Sequence, residues 1–177
     1  GNNFVRADQV SIRQKNSEMS ADGNVQSLLY NTKRREPGKE STLPVFASSQ
    51  LMSYDGESRT VRYEKGVDMR QGTERITGGT AILNLNDKNE VVASNFESNV
   101  AISQPSRRAF ADNARYTVDD ERIVLRGRPA RVEDQEKGSS QGSELVLMMN
   151  DNRVYGVGNS NSNPSGRVRS AYKVKTQ

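Results

Sequence analysis

By residue type, the groups best suited to chemistry are two acidic clusters, Asp119-Asp120-Glu121 and Glu133-Asp134 with Glu136. Paired carboxylates serve general acid–base catalysis when one of them is held protonated. Neighbouring residues on a β-turn point apart and stay hydrated, so neither cluster gains the raised pKa that a general acid needs. Turn formation explains them better. Asn86-Asp87-Lys88-Asn89 and Asn150-Asp151-Asn152 gather oxygen ligands of the kind calcium takes, but without the loop spacing and terminal Glu of a calcium-binding hand, so no metal site is expected. Ser48-Ser49 and Ser139-Ser140 have no base to activate them, because the chain contains no His, and the absence of Cys removes thiolate catalysis and disulfides. Gly78-Gly79 is too short for a phosphate cradle, and no helix follows it. No catalytic residue, metal or cofactor is expected. The chain reads as a binding or scaffold protein.

The elements around these residues repeat. A small or polar opening leads into an alternating strand, a polar turn and another alternating strand, and the order recurs in four copies. The copies are anchored on Tyr54, Leu83, Tyr116 and Leu147, at separations of 29, 33 and 31 residues. Each period holds about two strands of ordinary length and a turn. Stacked hairpin units of equal length build a long sheet whose alternate residues form one apolar surface. That surface is expected to comprise Ala81, Leu83 and Leu85; Val100 and Ile102; Ala114, Tyr116 and Val118; Ile123 and Leu125; Ala130 and Val132; Leu145 and Leu147. Periodicity alone leaves open whether it is an aliphatic trough for acyl chains or the closed core of a sandwich.

Composition agrees with thin, half-buried strands. Hydrophobic residues are only 32% of the 177 and mean hydropathy is −0.85, yet the apolar residues alternate with polar ones instead of being diluted at random. The net charge of +4 is mild, and both signs are mixed along every strand and turn, which argues against a nucleic-acid partner. No run approaches the length of a membrane-spanning helix. The start, Gly1-Asn2-Asn3-Phe4, lacks the pattern of a secretory leader and is expected to follow a leader that has been removed, with or without an upstream domain.

Three regions are expected. Residues 1–44 hold N-terminal strands of the same architecture and a charged loop, 45–158 the core repeats, and 159–177 an Asn/Ser-rich loop with a final strand or tail. Phe4 to Ile12 reads as one strand, and Asp22-Gly23-Asn24 as a tight turn. Asn31 to Thr42, rich in Lys and Arg, reads as a mobile loop without an apolar anchor. Bulges or edges are expected at Gly66, after Phe96 and at Pro129, and helix is limited to one short turn.

The recurring text, Ala111-Asp112-Asn113-Ala114-Arg115-Tyr116 with Asn99-Val100-Ala101-Ile102, Gly23-Asn24-Val25, Gln50 to Asp55 and Lys65-Gly66-Val67-Asp68-Met69, resembles the OstA-like family of lipopolysaccharide-transport proteins. The likeness covers about Val45 to Gly158 well and the first 30 residues loosely. It implies an all-β, antiparallel, repeat-built open β-jellyroll: V-shaped, with two facing sheets and open ends. It further implies a periplasmic location and an apolar interior that holds the acyl chains of lipid A, with Leu83, Leu85, Val100, Ile102, Tyr116, Val118, Ile123, Leu125, Val132, Leu145 and Leu147 as the lipid-binding face. Partners implied are lipopolysaccharide and other jellyroll proteins of the family, joined edge strand to edge strand in a bridge from inner to outer membrane, with self-association as one form. The alternative is a structural β-repeat surface or adhesin-like module with no lipid ligand.

Overall fold

The computed structural model describes residues 3–30, 34–36, 39–41, 43–149, 153–156 and 169–171. Alternation becomes strand almost throughout. The elements are β1 (Phe4–Arg6), β2 (Gln9–Arg13), β3 (Glu18–Leu29), β4 (Arg34–Glu36), β5 (Lys39–Ser41), β6 (Val45–Asp55), β7 (Thr60–Gln71), β8 (Glu74–Leu85), β9 (Val91–Gln104), β10 (Arg107–Thr117), β11 (Arg122–Asp134), β12 (Gly138–Met148), β13 (Val154–Gly156) and β14 (Arg169–Ala171). A single 3-10 turn, Gln14–Asn16, is the helical element among the described residues. The repeat anchors Tyr54, Leu83, Tyr116 and Leu147 fall on β6, β8, β10 and β12, so each repeat is one hairpin.

All strands but β4 and β5 join one antiparallel sheet of twelve strands, in the order β1-β3-β6-β7-β8-β9-β10-β11-β12-β13, with β2 also on β3 and β14 also on β12. The long strands exceed an ordinary strand's length about twofold because each serves two surfaces. In the middle of every consecutive pair from β3–β6 to β11–β12 the register shifts. Bulges bend strands and increase their twist, and a row of them crossing the sheet folds it along one line.

The bend has a local cause. At the shift, β3, β7 and β9 each carry one residue more than either neighbour. In each of the three the surplus is housed by two successive left-handed residues: Gly23 and Asn24, Lys65 and Gly66, Ser98 and Asn99. Opposite them β8 needs the smallest residues. A Cβ on Gly79 would lie 2.9 Å from the Ser98 Cβ, and one on Gly78 would lie 3.1 Å from the Glu97 carbonyl oxygen. The Gly78-Gly79 pair therefore serves close strand approach at the bend. Pro129 sits in the corresponding bulge of β11, where no ladder donor is required.

The two facing sheets are thus leaves of one sheet. The upper leaf holds residues 25–29, 45–48, 67–71, 74–77, 100–104, 107–111, 130–134 and 138–142, with β1 and β14 at its edges. The lower leaf holds residues 18–22, 51–55, 60–64, 80–85, 91–97, 113–117, 122–126 and 144–148, with β2 and β13 at its edges. Side chains from both leaves share one apolar core that includes Val67, Val100 and Val132 from above and Tyr63, Leu83 and Leu125 from below.

Three local expectations need correction. The N-terminal stretch is two strands, because the chain passes from upper to lower leaf at Ala7-Asp8 and pairs with both halves of β3. Gly23-Asn24 does not reverse the chain: its positive φ angles make a bulge inside β3. The charged segment expected as a loop contains the hairpin β4–β5. The bulges expected at Gly66, after Phe96 and at Pro129 are present. The Asn/Ser-rich loop lies outside the described residues.

Gly66 has φ +82° and open space where a methyl group would project, so replacing it tests backbone conformation without a clash. Gly66→Ala is expected to lower stability by about 1 kcal/mol, a few degrees in Tm, whereas Gly66→Asn, which tolerates the left-handed region, loses less. Thermal unfolding of the two variants checks this order.

Candidate functional site

Between the leaves the apolar side chains do not close completely. A cavity of about 150 Å³ remains, lined from the upper leaf by residues such as Met69, Ile76 and Ile102 and from the lower leaf by Leu83, Phe96 and Ile123. Ile76 and Leu83 belong to one strand, as do Phe96 and Ile102, so both halves of β8 and of β9 face the same space. A second, more open cavity of about 490 Å³ lies toward the N-terminal strands, lined by Phe4, Val5, Val10, Ile12, Met19 and Met52 among others. Leu29 and Val91 line both cavities, so the two adjoin between the leaves.

The lining is mostly aliphatic with a few aromatic rings, and its charged groups sit at one rim. There the Gln71 Nε2 donates to the Leu43 carbonyl at 2.9 Å, and the Gln104 Nε2 donates to Glu74 Oε1 at 2.7 Å. Arg70 and Arg75 border the same rim. Both pair with Asp68, their Nη2 groups lying 2.8 Å from its Oδ2. The Arg70 hydrogen bond, with that of Arg75, outweighs desolvation and lowers the Asp68 carboxyl from 3.8 to about 2.

Away from the cavity the leaves are fastened. Ser27 in the upper leaf and Tyr63 in the lower share a hydrogen bond of 2.7 Å between hydroxyls, and both side chains are buried. Desolvation pushes the Tyr63 phenol up, against the opposing effect of Ser27. At the far margin of the upper leaf Arg107 and Asp134 form a buried ion pair, 3.2 Å from Nη2 to Oδ2. Burial pushes the Asp134 carboxyl up, but the N–H groups of Lys137 and Glu136 and the Arg107 guanidinium prevail and hold it below its ordinary range.

The residues expected to form the inward apolar face divide into three sets. Leu83, Ile102, Tyr116, Val118 and Ile123 line the inner cavity, and Leu85 lines the outer one. Val100, Leu125, Val132, Leu145 and Leu147 are buried in the core that continues beyond the cavity. Sequence reasoning missed Leu29, Val45, Met69, Ile76, Val91, Phe96 and Met149 on the inner cavity. All but Phe96 lie at a strand end or across the bend from an anchor, and the register shifts between β9 and its neighbours β8 and β10 switch which residues face inward. The Asn86 side chain, considered as a calcium ligand, instead accepts from the N–H groups of Lys88 and Glu90, both at 2.9 Å, and so shapes the β8–β9 turn.

An open antiparallel jellyroll folded from one sheet, with apolar cavities between its leaves, is the architecture these observations define. Residues 47–153, more than half of the chain, match the family model described as LptA/(LptD N-terminal domain) LPS transport protein, and the chain belongs to this family. Among solved structures it is similar to LptH from Pseudomonas aeruginosa, described as the LptA homologous periplasmic component of the conserved lipopolysaccharide transport device. The match has TM-score 0.64 and 18% identity, and covers 75% of this chain and 96% of that one. No curated protein sequence matches.

Two outcomes follow from the fastening groups. Tyr63→Phe leaves the buried Ser27 hydroxyl without its partner and is expected to cost about 1–2 kcal/mol in denaturant unfolding, with Ser27→Ala in the same background restoring part of the loss. Asp68 titrates near 2 when folded and near 3.8 when unfolded, so its stabilisation is complete above about pH 4 and is lost as pH falls toward 2. After allowance for water around the exposed guanidiniums that contribution is about 1 kcal/mol. Stability measured from pH 5 to pH 2 should therefore fall less steeply in Asp68→Asn.

Proposed function

We propose that the chain is a periplasmic lipopolysaccharide-transport component that holds the acyl chains of lipid A in the trough between its leaves and passes the lipid toward the outer membrane. The observation that carries this reading is the pair of adjoining apolar cavities, one opening at the exposed Phe4, Val10 and Ile12 of the N-terminal end, the other lined by Leu83 and Ile102, with Leu29 and Val91 in the wall of both. An apolar surface of this kind left open to water is characteristic of a ligand or partner site. The carboxylate in its lining, Glu74, is engaged by Gln104 at the rim, and transport without covalent change needs no acid, base or nucleophile. The inner cavity alone is about the size that holds benzene, so a full acyl chain enters by spreading the leaves about the bend.

The sheet's margins suit assembly. Among the described residues β1 and β2 end it on one side and β13 and β14 on the other, one edge strand per leaf at each end. Unpaired edge strands accept a further strand through main-chain hydrogen bonds. Family partners, or a second copy of this chain, would add at these edges and extend the trough. Residues 1–44 in this reading belong to the same architecture and 45–158 form its body, with β13 and β14 at its other margin.

Photocrosslinking side chains placed singly at Leu83, Ile102 and Tyr116, with the outward Arg115 as control, test the reading. Lipopolysaccharide adducts are expected at the three trough positions and not at Arg115. A folded protein that gives no trough adducts overturns the lipid-carrier reading in favour of a purely structural β-repeat module.

A further inference from the structure

The outer surface of the upper leaf carries an apolar patch that borders the trough at its rim. Phe4, Leu28, Phe46, Arg70 and Arg75 stand in one transverse row, each in register with the next across β1, β3, β6, β7 and β8. Side chains alternate between faces along a strand: Ser27, Ala47 and Met69 face the core, so Leu28, Phe46 and Arg70 face outward. Leu28, 7% exposed and outside the apolar core shared by the leaves, stands between Phe4 and Phe46 in register. The two phenylalanines are 49% and 57% exposed. Phe4 also reaches the mouth of the outer cavity, as Arg70 and Arg75 reach the rim of the inner one.

This apolar centre has a basic border. Arg70 and Arg75 share a single carboxylate, Asp68. Arg6, two residues along β1 from Phe4 and on the same face, is exposed and has no acidic partner among the described residues. With Glu74 on the same rim, three guanidiniums stand against two carboxylates, which leaves one positive charge in excess. Exposed aromatic rings bordered by Arg match the boundary of an anionic lipid leaflet: rings enter the headgroup region and guanidiniums meet phosphates.

We infer that this outer face, centred on Phe46, docks the chain onto an anionic lipid surface. The face lies on the opposite side of the upper leaf from the trough lining. Docking is therefore a separate property from carriage of a lipid between the leaves. It would hold the rim of the trough, where Arg70 and Arg75 stand, against the leaflet.

The test is sedimentation of the full chain with phosphatidylcholine vesicles, with and without about one third phosphatidylglycerol. Binding to the anionic vesicles only, reversed in about 0.5 M salt where charges are screened over a few ångström, is the expected result. Phe46→Ser and the double variant Arg70→Gln/Arg75→Gln, each checked for folding by thermal unfolding, are expected to weaken binding roughly tenfold or more. Tyr155→Ser, at an exposed aromatic on the opposite margin, should leave it unchanged. No binding to anionic vesicles, equal binding to neutral ones, or equal loss in Tyr155→Ser overturns the proposal. So does a Phe46→Ser variant that binds vesicles normally but changes from dimer to monomer in light scattering, which would assign the patch to a second copy of the chain.

Discussion

The structure depends on a mismatch in length between neighbouring strands. Hydrogen-bonded strands of equal length lie side by side as a twisted sheet; a strand with one residue too many must bulge. Here β3, β7 and β9 each carry that surplus relative to both neighbours, at corresponding places, and two left-handed residues absorb it each time. Bends placed at random would crumple the sheet. Bends in a row fold it, and the fold line gives a V whose arms face each other and whose inner surface is one connected lining.

This construction explains how so little apolar sequence can make a core. Each strand contributes inward residues twice, once above the bend and once below it, so short alternating runs supply both walls. The walls need fastening as well as packing, because an aliphatic interface has no directional contacts. Ser27 and Tyr63 provide one such bond across the interior. Where facing side chains are large and close, as around Leu125 and Leu145, the core is sealed; where the walls diverge, between Ile102 and Leu83, the trough begins. Core and trough are therefore parts of one surface that differ in the separation of its walls.

Much of this was legible in the sequence. The alternation and its period of about thirty residues specify antiparallel hairpins in series, because an apolar/polar period of two suits only half-buried strands. Gly66 and Pro129 signalled bulges because one favours positive φ and the other lacks an N–H. Other features were not legible. Asp-Gly-Asn has the residues of a tight turn, and only the pairing of β3 with β6 on both sides of it makes it a bulge. Cavity residues such as Ile76 and Phe96 follow the same alternation as their sealed counterparts, and wall separation is a tertiary property that periodicity does not encode. The hairpin β4–β5 has no apolar side chain to mark it, since its short strands stand outside the main sheet.

The central claim is that the two leaves are hinged at the bend and part to admit a ligand. Spin labels at Val45 in the upper leaf and Val91 in the lower, both on the cavity wall, report the separation directly by pulsed dipolar spectroscopy. Saturating lipopolysaccharide is expected to shift the distance distribution to longer values, while a pair within one leaf stays fixed. An unchanged distribution across the leaves, with the lipid demonstrably bound, would contradict the account.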